Sequence, residues 1–149
     1  MRITTRGRYA LRASLAMAKL GTKDEPVSIN SLSELENISS VFLEQIFFKL
    51  RKAGIVSSIR GPGGGFFFAR PLEEVTVKQI LEAAGENLDI TFCNKSVDDC
   101  ERIGACLSHS VWVGVNEILK DYLSKITLAS ILEQYQNTVS ANPEAEIHE

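Results

Sequence analysis

The fold is decided by residues 31–69, which read SLSELENISSVFLEQIFFKLRKAGIVSSIRGPGGGFFFA. Ser31 and Glu34 are spaced as in a capping box. In that arrangement a serine oxygen and a glutamate side chain satisfy free backbone N–H groups at a helix start. The segment therefore predicts a short helix from Ser31 to about Glu36.

A second helix follows after a tight turn. Ser39 or Ser40 is placed to cap it, and Gly54 is placed to end it. Two helices joined by a turn of about three to four residues form a helix-turn-helix candidate, although a simple helical hairpin is the alternative. In a helix-turn-helix the second helix reads the major groove of DNA.

A β-hairpin is predicted directly after this second helix. Two β-prone runs, Val56–Ile59 and Phe66–Ala69, flank a loop too rich in Gly and Pro to be helical. A phosphate-binding P-loop is excluded because neither a Lys-Ser/Thr pair nor a helix follows the glycines. A plain flexible turn would leave the run from Arg60 to Gly65 unexplained. Helix-turn-helix plus hairpin is the winged-helix arrangement.

The charge of the chain is strongly asymmetric. Residues 1–70 contain eleven Lys and Arg against five Asp and Glu, a net charge of +6, whereas residues 71–149 contain five against fourteen, a net charge of −9. The basic half can meet a polyanion such as DNA, and the acidic half cannot lie along one comfortably.

The remaining pattern predicts a mainly α chain with one small hairpin. Further helices are expected from Arg6 to Leu20, from the Thr76 capping box to Ala84, from Leu107 to a break at residues 126–127, and from there to about Tyr135. The predicted organisation is a winged helix-turn-helix DNA-binding domain (1–72), a linking helix and cysteine loop (73–106), dimerisation helices (107–135) and a disordered tail (136–149).

All three cysteines of the chain lie in one window and precede a histidine: Cys93, Cys100, Cys106 and His109. An odd number of thiols argues against a disulfide framework. Three thiolates and an imidazole are the right donors for one zinc ion or one iron–sulfur cluster. Paired C-x2-C knuckles, the usual zinc signal, are absent, and the wide spacing favours a cluster. Alternatively, His109 lies on the helix surface without binding a metal, and Asp98, Asp99 or Glu101 supplies the fourth ligand.

The predicted DNA contacts come from the exposed start of the second helix and from the hairpin. Gln45 can pair with adenine, Glu44 can accept from cytosine, and Val41 can contact a thymine methyl. Arg60 can enter a narrow minor groove. The complete predicted set is Ser39, Ser40, Val41, Glu44, Gln45, Lys49 for a phosphate, and Arg60.

Other function classes have little support in the sequence. No constellation of acid–base groups indicates an enzyme or a small-molecule substrate, and no apolar run approaches the roughly 18 residues of a membrane span. An apolar stripe along the long helix, Trp112 to Tyr122, has little core of its own to bury against, so pairing with a second copy is expected. We expect a reducing, bacterial cytoplasmic location.

Three segments, MRITTRGRYALRA, ISSVFLEQIFFKLRKAGIVSSIRGPGGGF and CLSHSVW with ITLASILEQ, resemble the IscR-type family of bacterial winged-helix regulators. The resemblance covers roughly Met1 to Glu133. It implies a homodimer that binds promoter DNA and holds a [2Fe–2S] cluster on the three cysteines and His109, as a repressor of iron–sulfur assembly or related stress genes. It also implies DNA contacts from Ser39, Val41, Glu44, Gln45 and Arg60.

The chain differs from nitric-oxide-sensing relatives at one position, and it departs from the IscR-type pattern at two. Nitric-oxide-sensing relatives of the NsrR type use an aspartate where this chain has Arg8, which makes that function the less favoured alternative, beside a zinc-stabilised regulator without redox sensing. Six residues separate Cys93 from Cys100, where the family usually has five. Val41 replaces the usual serine, so the family's operator sequence cannot be transferred.

Overall fold

The computed structural model describes residues 3–91, 93 and 100–141. Within these ranges the chain is mostly helical with one two-stranded hairpin, as predicted. The elements are α1 (Thr5–Leu20), α2 (Ile29–Glu36), α3 (Ser40–Lys52), β1 (Val56–Ile59), β2 (Gly65–Phe68), a single 3-10 turn (Leu72–Glu74), α4 (Val77–Ala84), α5 (His109–Lys125) and α6 (Leu128–Ala141).

The main core lies between α1, α2, α3 and the hairpin. Small side chains on α1, among them Ala10 and Ala13, are fully buried and let the other helices approach closely. One face of α3 supplies Leu43, Ile46, Phe47 and Leu50, all buried, which leaves the opposite face free. The hairpin is fixed to this core because the Phe47 and Phe66 rings meet edge-on at 5.1 Å.

The helix starts follow local capping chemistry. Thr4 caps α1, and Thr76 with Gln79 forms the predicted capping box on α4. The predicted start of α2 at Ser31 is wrong: Ser28 is the cap, and its side chain accepts a hydrogen bond from the Ser31 backbone N–H at 3.0 Å. The helix begins earlier because Ser28 satisfies that N–H itself, and Ser31 becomes part of the first turn.

The second half of the chain packs on the first through α4. Residues of α4 and of the following segment, with Val77, Leu81 and Leu88 buried, form a second apolar cluster. The break between α5 and α6 lies at Ile126-Thr127 as predicted, and it is tied to α4 by the Val77 N–H, which donates to the Ile126 carbonyl at 2.9 Å.

Helix α6 continues to Ala141, so the predicted disorder from residue 136 is wrong for residues 136–141. The ammonium of Lys19 lies 4.5 Å from the centre of the Tyr135 ring, and this contact holds the middle of α6 against α1. Residues 142–149 lie outside the described part of the chain. Among the helices that the structure describes, each is too short or too polar to cross a bilayer.

Candidate functional site

The outer face of α3 presents a continuous row of exposed side chains. Val41 is 62% exposed and Phe48 is 58% exposed, and Glu44 and Gln45 are exposed between them. The opposite face of the same helix is buried in the core, so the row is held rigidly. Its hydrogen-bonding and apolar groups are of the kinds that read base edges in a major groove. Phe48 was not predicted from the sequence, because an aromatic in a helix is usually assigned to the core.

The start of α3 leaves a hydroxyl available. Ser39 is the N-cap residue, but its side chain makes no capping hydrogen bond in the described structure, and it is exposed. Ser40 is half-buried in the first turn. Hydroxyls and N–H groups at a helix start are common DNA phosphate contacts.

Lys49 is placed differently from the other predicted contacts. Its ammonium donates to the Ala84 carbonyl at 3.3 Å, at the C-terminal end of α4, and the side chain is half-buried. A cation at a helix C-terminus is favoured by the helix dipole. Lys49 therefore has a partner inside the chain, whereas Lys52, one turn further on, is exposed on the outer face.

The hairpin forms a rigid wing with Arg60 exposed where its loop begins. β1 and β2 are antiparallel, with Val56 opposite Phe68 and Ile59 opposite Gly65. A Cβ at Gly65 would lie 2.4 Å from the Val27 carbonyl oxygen, so only glycine allows the backbone of residue 27 to pair with β2. The backbone pairing of Val27 with Phe66 adds a third chain segment beside the two strands, and it orients the wing relative to α3.

A shallow cleft of about 550 Å³ separates the start of α1 from α3. Thr5 and Tyr9 line it on the α1 side, and Ser39, Val41 and Gln45 line it on the α3 side. Two polar groups of α1, on Thr5 and Tyr9, therefore border the exposed face of α3. Sequence reasoning missed them, because Tyr9 fits the apolar repeat of α1.

The cysteine segment ends in a helix start. The sulfur of Cys106 and the hydroxyl of Ser108 lie 3.3 Å apart, and the His109 N–H donates to the Cys106 carbonyl at 3.2 Å. The hydrogen bond from the Ser108 side chain, assisted by the Ser108 and His109 backbone N–H groups and the charge of Arg102, lowers the pKa of the Cys106 thiol below its ordinary value. Cys93, Cys100 and Cys106 are all free thiols and half-buried.

These donors are not gathered into one cluster. Among the described residues, no three His, Cys, Asp or Glu side chains lie close enough together to hold a metal ion. Asp98 and Asp99, two of the alternative fourth ligands, lie outside the described residues, and Glu101 is exposed. The set matches iron–sulfur or zinc ligation in its chemistry, three thiols and an imidazole, but not yet in its arrangement.

The segment that leads into Cys93 is firmly held. Glu86 accepts hydrogen bonds from the backbone N–H and hydroxyl of Thr4 and from the Gly7 N–H, so its carboxylate occupies the N-terminal end of α1. Burial alone would raise the pKa of Glu86. The hydrogen bonds from Thr4 and Gly7, with the charge of Arg6, nevertheless lower that pKa below its ordinary value.

Two side chains of α5 hold the same segment further along. The ammonium of Lys120 lies 2.6 Å from the carboxylate of Asp89, and Asn116 accepts the Ile90 N–H through its Oδ1 at 2.7 Å. Asn116 is fully buried. Neither contact was predicted from the sequence.

The other side of α5 is apolar and exposed. Ile118 is 71% exposed and Tyr122 is 63% exposed. Spacings of three and four residues place these side chains on one face of the helix, together with Val111 and Val115. Exposed apolar side chains in a row along one helix face form a candidate interaction surface.

A family model described as Rrf2, iron-dependent transcriptional regulator, matches residues 3–134. A helix-turn-helix-type transcriptional regulator of Neisseria meningitidis is 43% identical over 92% of this chain and 91% of its own length. The IscR regulator of Serratia proteamaculans is 37% identical over 95% of this chain and 85% of its own length.

Two solved structures share the fold. IscR of T. potens has a TM-score of 0.70 at 31% identity and covers 93% of this chain and 90% of its own. CymR, the global cysteine regulator of B. subtilis, has a TM-score of 0.73 at 27% identity, and the match covers 90% of this chain and 98% of CymR. These relatives confirm the resemblance to IscR-type regulators. They are regulators of transcription and not enzymes.

Proposed function

Because the chain belongs to the Rrf2 family of iron-dependent transcriptional regulators, we propose that it is an IscR-like, iron–sulfur-dependent regulator that binds promoter DNA as a homodimer. The observation that carries this proposal is the pairing of a winged-helix reading face at one end of the chain with a segment of three free thiols and His109 at the other. Its relatives regulate transcription, so the proposal concerns the cofactor, the contacts and the control.

The proposed DNA contacts are the exposed side chains of α3 and the wing. Val41, Glu44 and Gln45 read base edges, Ser39 and Ser40 contact phosphates, and Arg60 enters the neighbouring minor groove. The net charge of +6 over residues 1–70 supports this polarity. Lys49 belongs to the proposed set only if its ammonium leaves the Ala84 carbonyl when DNA binds.

The proposed cluster ligands are Cys93, Cys100, Cys106 and His109. An iron–sulfur cluster of the [2Fe–2S] type would supply a group whose presence and oxidation state respond to iron and to oxidants. The lowered pKa of the Cys106 thiol and the free state of all three cysteines support ligation. Since the described residues are not gathered around a site, these side chains must move toward one another when they bind the group.

The exposed face of α5 is the proposed dimer surface. Two-fold symmetric DNA readers bind two half-sites, so each subunit must hold its α3 at a fixed distance from the other. An α5 helix paired with its twin through Ile118 and Tyr122 would set that distance. His109 is the first residue of the same helix, so ligand and dimer interface share one rigid element.

Control by the cluster is proposed to follow from this shared element. Binding of a cluster by Cys93, Cys100, Cys106 and His109 would fix these side chains relative to α5 and change the arrangement of the two winged domains. It can shift DNA affinity only by the difference in the affinity of the cluster for the two arrangements.

The test is a DNA selection followed by mobility shifts. A pool of random-sequence duplexes is presented to protein reconstituted anaerobically with ferrous iron and sulfide, to apo protein, and to a variant with Cys93, Cys100 and Cys106 all changed to Ala. We expect the reconstituted protein to differ from the apo protein in affinity or preferred site, and the variant to match the apo protein under both conditions. Identical affinity and site preference in all three would refute cluster control.

Metal analysis of anaerobically purified protein separates the alternatives. Iron, acid-labile sulfide and visible absorption support the cluster, and Mössbauer spectra identify its type. Stoichiometric zinc in a colourless protein would replace the cluster by a structural zinc ion and leave the DNA-binding proposal standing. Control by nitric oxide alone, with no response to loss of iron, would favour the NsrR-like alternative.

A further inference from the structure

We propose that Asn116 is a positioning residue for the cluster, because it fixes the chain segment that carries Cys93 to the same helix that carries His109. This inference rests on the proposed function, since it presumes that Cys93 and His109 are ligands of one group. It adds a residue that touches neither the group nor DNA.

The first step is the burial and bonding of Asn116. The side chain is fully buried in the middle of α5, and its Oδ1 accepts the Ile90 N–H at 2.7 Å. A polar side chain at such a position is costly unless it is bonded. Its Nδ2 has no partner among the described residues, so Asn116 is not an efficient stabiliser of the fold. What the amide supplies, and an apolar side chain of similar size cannot, is the acceptor for the Ile90 N–H.

The second step is the location of Ile90. It lies three positions before Cys93, and the Cys93 N–H in turn approaches the Thr91 hydroxyl at 3.4 Å. The side before Ile90 is already immobilised, because Leu88 is 2% exposed within the second apolar cluster and Asp89 pairs with Lys120 at 2.6 Å. Among the described residues, the bond to Asn116 is the last hydrogen bond before Cys93 that ties this segment to another element.

The third step is that Asn116, Lys120 and His109 belong to one helix. A helix is stiff over two to three turns, so the distance between His109 and the Ile90 backbone is set by α5. The bond to Asn116 therefore limits how far the backbone near Cys93 can lie from His109, and the ligand side chains move toward one another only within that limit. Partners that orient metal ligands typically change affinity by about 10- to 100-fold when they are removed.

The variants separate the acceptor from the mere presence of a polar side chain. Asn116→Leu removes the acceptor and leaves the Ile90 N–H without its partner. Asn116→Asp keeps an oxygen acceptor of the same length for the Ile90 N–H, and Lys120, which pairs with Asp89, lies one turn away on the same helix. Glu117→Gln, an exposed neighbour on the same helix, is the matched control. Far-UV circular dichroism of each apo protein confirms that it is folded.

Two readouts are measured, one without any cluster. In the apo proteins, hydrogen exchange at the Ile90 amide should be faster in Asn116→Leu than in wild type and unchanged in Glu117→Gln. After reconstitution with ferrous iron and sulfide, loss of visible absorption to a chelator should be about 10-fold or more faster in Asn116→Leu. The visible circular dichroism of the bound group should also change. Asn116→Asp should restore both properties.

Each alternative result has a defined meaning. Faster Ile90 exchange with unchanged cluster loss would overturn the inference, because the segment would then be held without any effect on the ligands. Equal acceleration in Asn116→Leu and Asn116→Asp would overturn the role of the acceptor. If wild type takes up no iron and sulfide, the proposed function fails, and the exchange experiment alone decides whether Asn116 holds the segment.

Discussion

Changing Glu86 to alanine is expected to destabilise the protein by about 1–3 kcal/mol at neutral pH. The carboxylate of Glu86 accepts the Thr4 and Gly7 backbone N–H groups at 3.1 and 3.0 Å, as well as the Thr4 hydroxyl. Loss of a helix N-terminal acceptor costs about 0.5–2 kcal/mol, and loss of a negative charge at that end about 0.3–1 kcal/mol more. For a domain of this size the melting temperature should fall by about 3–10 °C.

The dependence on pH gives this prediction a second, independent readout. The pKa of Glu86 is lower in the folded protein than in the unfolded chain, where it is about 4.3. The stabilisation is therefore complete above pH of about 4.3 and is lost as the pH falls through the lower, folded value. The difference in melting temperature between wild type and Glu86→Ala should shrink over that range, because other carboxylates titrate alike in both.

Thermal denaturation followed by circular dichroism is the assay, with Glu82→Ala as the control. Glu82 is an exposed carboxylate near the C-terminal end of α4, where it pairs with Lys78 at 3.9 Å, and its loss should cost less than about 0.5 kcal/mol. A gap between wild type and Glu86→Ala that stays constant down to low pH would show that the charge of Glu86 contributes nothing.

A double-mutant cycle tests the contact itself. A Cβ at Gly7 would lie 2.6 Å from Cγ of Glu86, so Gly7→Ala must displace the carboxylate. The cost of Gly7→Ala should be smaller in the Glu86→Ala background than in wild type, since the clash is gone and alanine is the better helix former. Equal costs in both backgrounds would refute the placement of Glu86.

Three further predictions concern the exposed face of α3, the hairpin and the proposed dimer surface on α5. Gln45→Ala should weaken binding to the selected DNA by about 1–3 kcal/mol per half-site and relax the preference at one base position, as measured by mobility shift on single-base variants of the site. Gly65→Ala should lower the melting temperature, because its Cβ would lie 2.4 Å from the backbone oxygen of Val27, with a cost of about 1–3 kcal/mol. Ile118→Glu should give a folded monomer in analytical ultracentrifugation, whereas Glu117→Gln should sediment as wild type.

The winged helix could be predicted because its signals are local. Capping residues, glycine stops and the Gly-Pro loop each fix the backbone within a few positions, and α4 begins and ends where Thr76 and Gly85 indicate. The start of α2 was predicted too late because Ser28 and Ser31 are both competent caps, and only the tertiary position of residues 27–28 against β2 selects Ser28. The end of α6 was predicted too early because residues 136–141 are mostly exposed and carry no apolar stripe, although the helix continues through them beyond the contact of Tyr135 with Lys19.

The reading face could be predicted in outline and not in its details. Periodicity separates the buried side of α3 from its exposed side, so Val41, Glu44 and Gln45 lie where they were expected. The same reasoning assigned Lys49 to a phosphate, because a sequence does not show that the Ala84 carbonyl is within reach of its ammonium. Partners that are distant in sequence redirect a flexible side chain without changing the helical pattern.

In the cysteine segment, too, the sequence indicates which residues carry the chemistry and does not indicate which residues hold them in place. Residue types alone single out Cys93, Cys100, Cys106 and His109 as the proposed ligands, since thiols and imidazole are chemically distinctive. The residues that hold the segment have no distinctive chemistry. From the sequence, Glu86 would be assigned to an exposed loop, and Asn116 would be assigned to the polar face of an amphipathic helix. Asn116 is nevertheless fully buried, because α5 is covered on that side by residues 88–90 and exposed on its apolar side. Helix α5 therefore has its polar position inside, against the segment that leads to Cys93, and its apolar stripe outside, on the face that we propose for dimerisation.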